Sequence, residues 1–188
     1  MRRILGRLYL RIFGWTFEIP KDIPTQFVYI AFPHTSNWDM PFMVAITWAT
    51  GIPVQFLMKD TLFKGPLDPF FRWFGALPVD RRTPQGLVGQ AVEMFKSRPE
   101  LRLGIPPEGT RRKVEYWKSG FYRIACQAGV PIGLGYLDYK RKIGGYGGFF
   151  MPTGEARADM DHIRAFYAPI EGKYPTLQNP PCLREEGL

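Results

Sequence analysis

The sequence predicts an α/β domain of three layers, a mostly parallel central sheet flanked by helices. Two observations carry this. Short apolar runs of β-favouring residues, at 27–32, 101–105 and 130–139, alternate along the chain with segments of helical period. The 188 residues are 45% hydrophobic and 22% charged, a balance that suits one folded domain with a substantial core.

In residues 1–18, Arg3, Arg7 and Arg11 recur every fourth position and line one helical face. Leu5, Leu8, Ile12, Phe13 and Trp15 take most of the remaining surface. The arginines interrupt every apolar run, which excludes a signal-peptide core or a membrane span. A basic amphipathic helix with aromatic anchors suits a bilayer interface, and 1–18 is expected to be such an interfacial helix. The competing expectation is a terminal helix docked on its own domain. Residues 19–173 form the α/β domain, and 174–188 read as a proline-rich, extended tail.

The run 27–32 is the first strand, ended by Pro33, and 40–49 is a helix that Ser36 or Asn37 can cap. Residues 54–57 read as a second strand. The segment 61–74 is rich in aromatics and proline. Residues 87–96 form an amphipathic helix and 101–105 a buried strand. A further helix over 118–128 closes at Gly129. Residues 130–139 and 148–151 are later strands, and 155–168 is helical. His162 lies on the solvated face of that last helix.

The net charge of +8 calls for anionic partners. The aromatics are not interleaved with Lys and Arg as a stacking platform requires, so nucleic acid is excluded in favour of anionic lipid or a phosphorylated ligand. Cys126 and Cys182 make no disulfide framework, and no metal-ligand spacing is present. Cys126 falls in an apolar helical stretch and reads as a core residue.

The most informative stretch is His34-Thr35-Ser36-Asn37-Trp38-Asp39, at a strand-to-helix junction where open α/β sheets bind ligands. On one continuous helix, residues i and i+5 are roughly 140° apart and cannot face each other. His34 must therefore lie in the turn, with Asp39 reaching back from the first helical turn. An Asp accepting from one imidazole nitrogen fixes the tautomer and leaves the other as a base. The alternative is an Asp favoured by the helix dipole beside an incidental His. Three further blocks occupy loop positions: Gly75-Ala76-Leu77-Pro78-Val79-Asp80-Arg81, Pro106-Pro107-Glu108-Gly109-Thr110-Arg111 and Gly129-Val130-Pro131-Ile132. A Glu-Gly-Thr-Arg turn gathers backbone N–H groups, a hydroxyl and a guanidinium, a set suited to phosphate. Taken singly, each arginine also fits an ordinary surface salt bridge.

In this order, over 29–139, the four blocks resemble the glycerolipid and lysophospholipid acyltransferase family, which includes the 1-acylglycerol-3-phosphate acyltransferases. The resemblance implies the family's α/β fold, His34 as general base and Asp39 as its orienting partner. It implies a site for the acceptor's phosphate at Arg81, Glu108, Gly109, Thr110 and Arg111, with Lys59 as a candidate further basic contact. The activity implied is transfer of a fatty acyl group from a thioester to a lysophospholipid hydroxyl. The donor is acyl-CoA or an acyl-carrier protein, used as substrate, and no cofactor or metal is bound. The place implied is peripheral, on the cytoplasmic face of the membrane. Pro33 and Pro106 stand where many members have Asn and Phe, and neither replaces a reacting group. Neither cysteine has an activating partner and no Gly-x-Ser-x-Gly elbow is present, so no acyl-enzyme is expected. The alternatives are a catalytically silent lipid-binding protein and a lipid or thioester hydrolase on the same scaffold.

Overall fold

The computed structural model describes residues 1–80, 82–83 and 86–186. Helix α1 (Arg2–Phe13) leads to a short strand β1 (Thr16–Glu18), then β2 (Gln26–Phe32), α2 (Asp39–Thr50) and β3 (Gln55–Lys59). A 3-10 turn (Asp60–Lys64), α3 (Asp68–Trp73), β4 (Ala76–Val79) and α4 (Gly86–Ser97) follow. The second half runs β5 (Leu101–Ile105), α5 (Gly120–Ala128), β6 (Ile132–Asp138), β7 (Ile143–Phe150) and α6 (Ala156–Tyr167).

The strands form one seven-stranded sheet in the order β1-β7-β6-β2-β5-β3-β4. Every neighbouring pair is parallel except β6 with β7, which a tight turn folds into a hairpin. Strand β2 is central, and Phe27, Val28, Tyr29 and Ile30 are all buried, as a parallel strand covered on both faces requires.

The pleat sends Val28, Ile30 and Phe32 to one face, where they pack with Phe95 of α4, Phe121 and Ile124 of α5, and Met160 and Ile163 of α6. Phe27 and Tyr29 take the other face with Met43 of α2. The expected three layers are present. Helix α1 lies outside α2 and antiparallel to it, Phe13 beside Trp38 and Arg3 over Gly51. Gly6 permits the contact, since a Cβ there would sit 2.5 Å from the Ala45 carbonyl oxygen.

Several local expectations change. Residues 16–18 leave the amphipathic helix and form the edge strand β1. Residues 76–79, read as loop, are strand β4, and Pro78 is tolerated because β4 is the other edge. The helix expected from 118 starts at Gly120, and Gly129 closes it at φ 65°. Cys126 is exposed, not core, because the buried face of α5 is set by Phe121, Tyr122, Ile124 and Ala125. The tail read as extended from 174 carries two 3-10 turns (Pro175–Leu177 and Arg184–Glu186) and packs on the domain: Asn179 and Leu183 are buried, and Leu183 bridges to Trp117.

Candidate active site

The chain leaves β2 at the carboxyl edge of the sheet and turns before α2. β2 connects through α2 on one face, whereas β5 connects through α5 on the other. The crevice between their carboxyl ends is therefore the switch point at which such sheets bind ligands.

His34 stands in that turn and Asp39 opens α2, with Nδ1 of His34 3.2 Å from Oδ2 of Asp39. Ser36 is no side-chain cap of α2. Its N–H donates to Asp39 Oδ2 at 2.8 Å, and its hydroxyl accepts from the N–H of Trp38 at 3.1 Å. The turn thus bends around the Asp39 carboxylate, which is only 4% exposed. The hydroxyl of Tyr139, 100 residues away, donates to the remaining oxygen, Oδ1, at 2.7 Å.

The turn after β5 forms the opposite wall. Glu108, read from sequence as part of a phosphate site, turns inward and is 1% exposed. Its Oε2 accepts the backbone N–H of His34 at 2.9 Å, and its Oε1 accepts from Asn179 Nδ2 at 2.6 Å. Burial raises the Glu108 pKa from the usual carboxylate range, and the donors from Asn179 and His34 oppose that rise. A buried carboxylate with both oxygens engaged builds the turn and does not face an anion. Gly109 follows at φ 65°, its α-carbon under the Lys118 side chain, where a Cβ would lie 2.8 Å from Nζ.

His34, Asp39, Gly109 and Lys118 share a cavity of about 590 Å³ with a mostly apolar wall, including Tyr29, Met43, Leu57 and Phe121. Its size is typical of a small-molecule site. Of the other expected contacts, Thr110 is half-buried, its hydroxyl accepting the Arg112 N–H at 3.3 Å. Arg111 is exposed, with no ion-pair partner among the described residues. Lys59 is exposed at the end of β3 and does not line the cavity. Arg81 lies outside the described residues. Among the described residues no cluster of His, Cys, Asp or Glu is arranged to hold a metal ion.

Sequence reasoning missed Lys118, Tyr139 and Asn179. Lys118 stands seven residues beyond Arg111 and has a local signal of sorts, a basic residue just before a helix. Tyr139 and Asn179 have none, because the contacts that matter are made across the fold.

Nδ1 of His34 is directed at Asp39, and Nε2 makes no hydrogen bond among the described residues. Beside an apolar cavity such a base suits a hydroxyl carried by an amphiphile.

A search of the curated proteins finds no match to this chain. Among solved structures it resembles the 1-acyl-sn-glycerophosphate (LPA) acyltransferase PlsC from Thermotoga maritima, with a TM-score of 0.60 over 89% of this chain and 76% of that one. The two are 17% identical, so the likeness is one of fold. The Acyltransferase family model matches residues 15–133, a stretch that holds both walls of the crevice. By that match, which spans more than half its length, the chain belongs to the Acyltransferase family.

Proposed function

We propose that the protein transfers a fatty acyl group from an acyl thioester to the hydroxyl of a lysophospholipid, with 1-acylglycerol-3-phosphate the first acceptor to test. The observation that carries this reading is the His34–Asp39 contact of 3.2 Å at the head of an apolar cavity. His34 Nε2 removes the acceptor's hydroxyl proton as that oxygen attacks the thioester carbonyl. The tetrahedral intermediate collapses, the C–S bond breaks, and the imidazolium returns the proton to the departing thiolate. The net change is one ester formed, one thioester broken and one thiol released. A positioned base typically contributes roughly 10²–10⁴-fold.

The acceptor's phosphate would be held by Lys118 in the cavity wall and by Thr110 and Arg111 of the adjoining turn, which do not themselves line the cavity. Lys59 and Arg81, the latter outside the described residues, are kept as candidate further cations. The acyl chain would lie along Tyr29, Met43 and Leu57. The donor is acyl-CoA or an acyl-carrier protein, both anionic and suited to a net charge of +8.

We further propose that the enzyme works as a peripheral protein on the cytoplasmic face of a membrane. No helix among the described residues is long and apolar enough to cross one. Helix α1 buries Gly6 and Leu10 against α2 and leaves Ile4, Leu5, Leu8 and Ile12 exposed, Ile4 and Ile12 to 71% and 70%. Docking on its own domain and lying on lipid are thus compatible, since they use different faces of one helix. The exposed stripe continues at one end into Trp73, over which Arg2 is stacked, with exposed Phe70 on the same helix α3 and exposed Leu67 just before it. At the other end Phe13 meets Trp38, and exposed Met40 lines the cavity. An apolar path from α1 to the cavity suits an acceptor that arrives from a bilayer.

The test is to incubate the purified protein with labelled acyl thioester and 1-acylglycerol-3-phosphate, following diacyl product and free thiol. Thiol release that depends on acceptor, and is lost in His34→Ala, supports the reading. Thiol release without acceptor would make the protein a hydrolase. No turnover with either donor across a panel of lysolipids would make it a lipid-binding protein.

A further inference from the structure

Among the described residues the Asp39 carboxylate makes three polar contacts, divided unequally between its two oxygens. Oδ2 receives the Ser36 N–H at 2.8 Å and faces His34 Nδ1 at 3.2 Å. Oδ1 receives only the Tyr139 hydroxyl, at 2.7 Å. Ser36 is three residues from Asp39 and moves with the same turn. Tyr139 directly follows β6 and, among the described residues, is the one contact that ties the carboxylate to the end of that strand.

Tyr139 is itself held from several directions. Its ring meets Trp15 edge-on at 4.9 Å and Phe42 edge-on at 5.9 Å. Its backbone N–H donates to the Glu171 carbonyl at 2.9 Å. The preceding Asp138, fully buried, accepts the N–H groups of Lys140 and Arg141 through Oδ1 and Arg141 Nε through Oδ2, which fixes the turn that follows. Besides Asp39, the titratable groups facing the phenol are Tyr9 and Tyr174, neither of them a cation. Burial, then the bond to Asp39, pushes the Tyr139 pKa well up, so the phenol keeps its proton and donates throughout the working range.

We propose that Tyr139 is a positioning residue for the dyad: its hydroxyl clamps the Asp39 oxygen that His34 does not use, and so fixes the carboxylate plane that orients the imidazole. Without this clamp only the Ser36 N–H holds the carboxylate, and its plane can turn relative to the imidazole. The inference rests on the acyl-transfer reading of His34 and Asp39.

Tyr139→Phe removes one oxygen and keeps the ring between Trp15 and Phe42. The expected result, with acyl thioester and lysophosphatidic acid as substrates, is a fall in kcat of about tenfold, less than the loss on removing the base itself. KM should be unchanged for both substrates. The acid limb of the pH–kcat profile should move to higher pH, because a carboxylate relieved of one donor presents more charge to His34 and favours the imidazolium. Trp15→Phe, which disturbs the packing and spares the hydroxyl, should leave that limb in place. Unchanged kcat in Tyr139→Phe, or a loss of kcat with the acid limb unmoved, would overturn the proposal. Independently of that variant's folding, the wild-type Tyr139 hydroxyl proton should exchange slowly by NMR and lose that protection in Asp39→Ala; rapid exchange in the wild type would also overturn it. An inactive wild type would instead overturn the acyl-transfer reading, so the two failures are distinguishable.

Discussion

The backbone N–H of His34 donates to Glu108 Oε2 at 2.9 Å, so the two motif blocks are joined by a partly buried hydrogen bond before any substrate arrives. Glu108 thereby supports the turn that carries the proposed base, and its own ionisation bears on stability. Its folded pKa is raised, chiefly by burial. A carboxyl group raised in this way contributes stability below its unfolded pKa and loses that contribution as pH rises through the folded value. Glu108→Gln carries no such titration. Urea unfolding of both proteins between pH 4 and 7 should therefore show the wild type losing stability relative to Glu108→Gln as pH rises. A difference independent of pH would refute it.

Asp39→Asn should cost far more activity than stability. An amide in place of the carboxylate disturbs the imidazole tautomer and leaves His34 without an ionised partner. Turnover in the acyl-transfer assay should fall roughly 10³-fold, with circular dichroism unchanged. Retention of more than a tenth of wild-type turnover would remove Asp39 from the mechanism.

Lys118 puts an ammonium in the cavity wall next to Gly109, on the acceptor's proposed path. Lys118→Met keeps much of the stem and removes the charge. KM for lysophosphatidic acid should rise about tenfold or more, while KM for an uncharged monoacylglycerol should stay nearly constant. Equal effects on both acceptors would show that Lys118 does not read phosphate.

The exposed face of α1 gives a membrane test separate from catalysis. Leu8, half-exposed between Ile4 and Ile12, points away from the Gly6–Leu10 face that packs on α2. Leu8→Glu should reduce flotation with vesicles containing phosphatidylglycerol about tenfold or more, from lost apolar burial and added negative charge. The melting temperature should hold. Binding by the wild type should also weaken as salt is raised. Flotation equal to that of the wild type would refute α1 as the proposed membrane contact.

The sequence was most legible where chemistry and local geometry coincide. The His34–Asp39 spacing forces a turn, and the turn is there because the run 27–32 before it can only be a buried strand. The apolar run at 101–105 likewise became β5 at its expected bounds. What stayed hidden is what register decides. Strand β4 contains Pro78 and passes for loop until its edge position is known. Glu108 reads as a ligand-facing acid, and only the fold shows Asn179 and the His34 N–H turning it inward. Tyr139 looks like the polar end of a strand. Its contact with Asp39 spans 100 residues, beyond the reach of any local pattern. Cys126 shows the opposite error, an apolar neighbourhood in sequence that the helix face divides in space.

Asn179 gives the Glu108 turn its second buried partner, and it follows every strand and every α-helix of the domain in the chain. On the ribosome, then, the whole sheet is translated before the support beneath His34 exists. A nascent chain whose core strands have already paired still lacks the Asn179 contact, and the proposed catalytic turn is complete only once the tail has folded back. The same dependence makes the tail a point of vulnerability, because a protease that clipped it ahead of Asn179 would take a support from the turn of the proposed base without reaching the cavity.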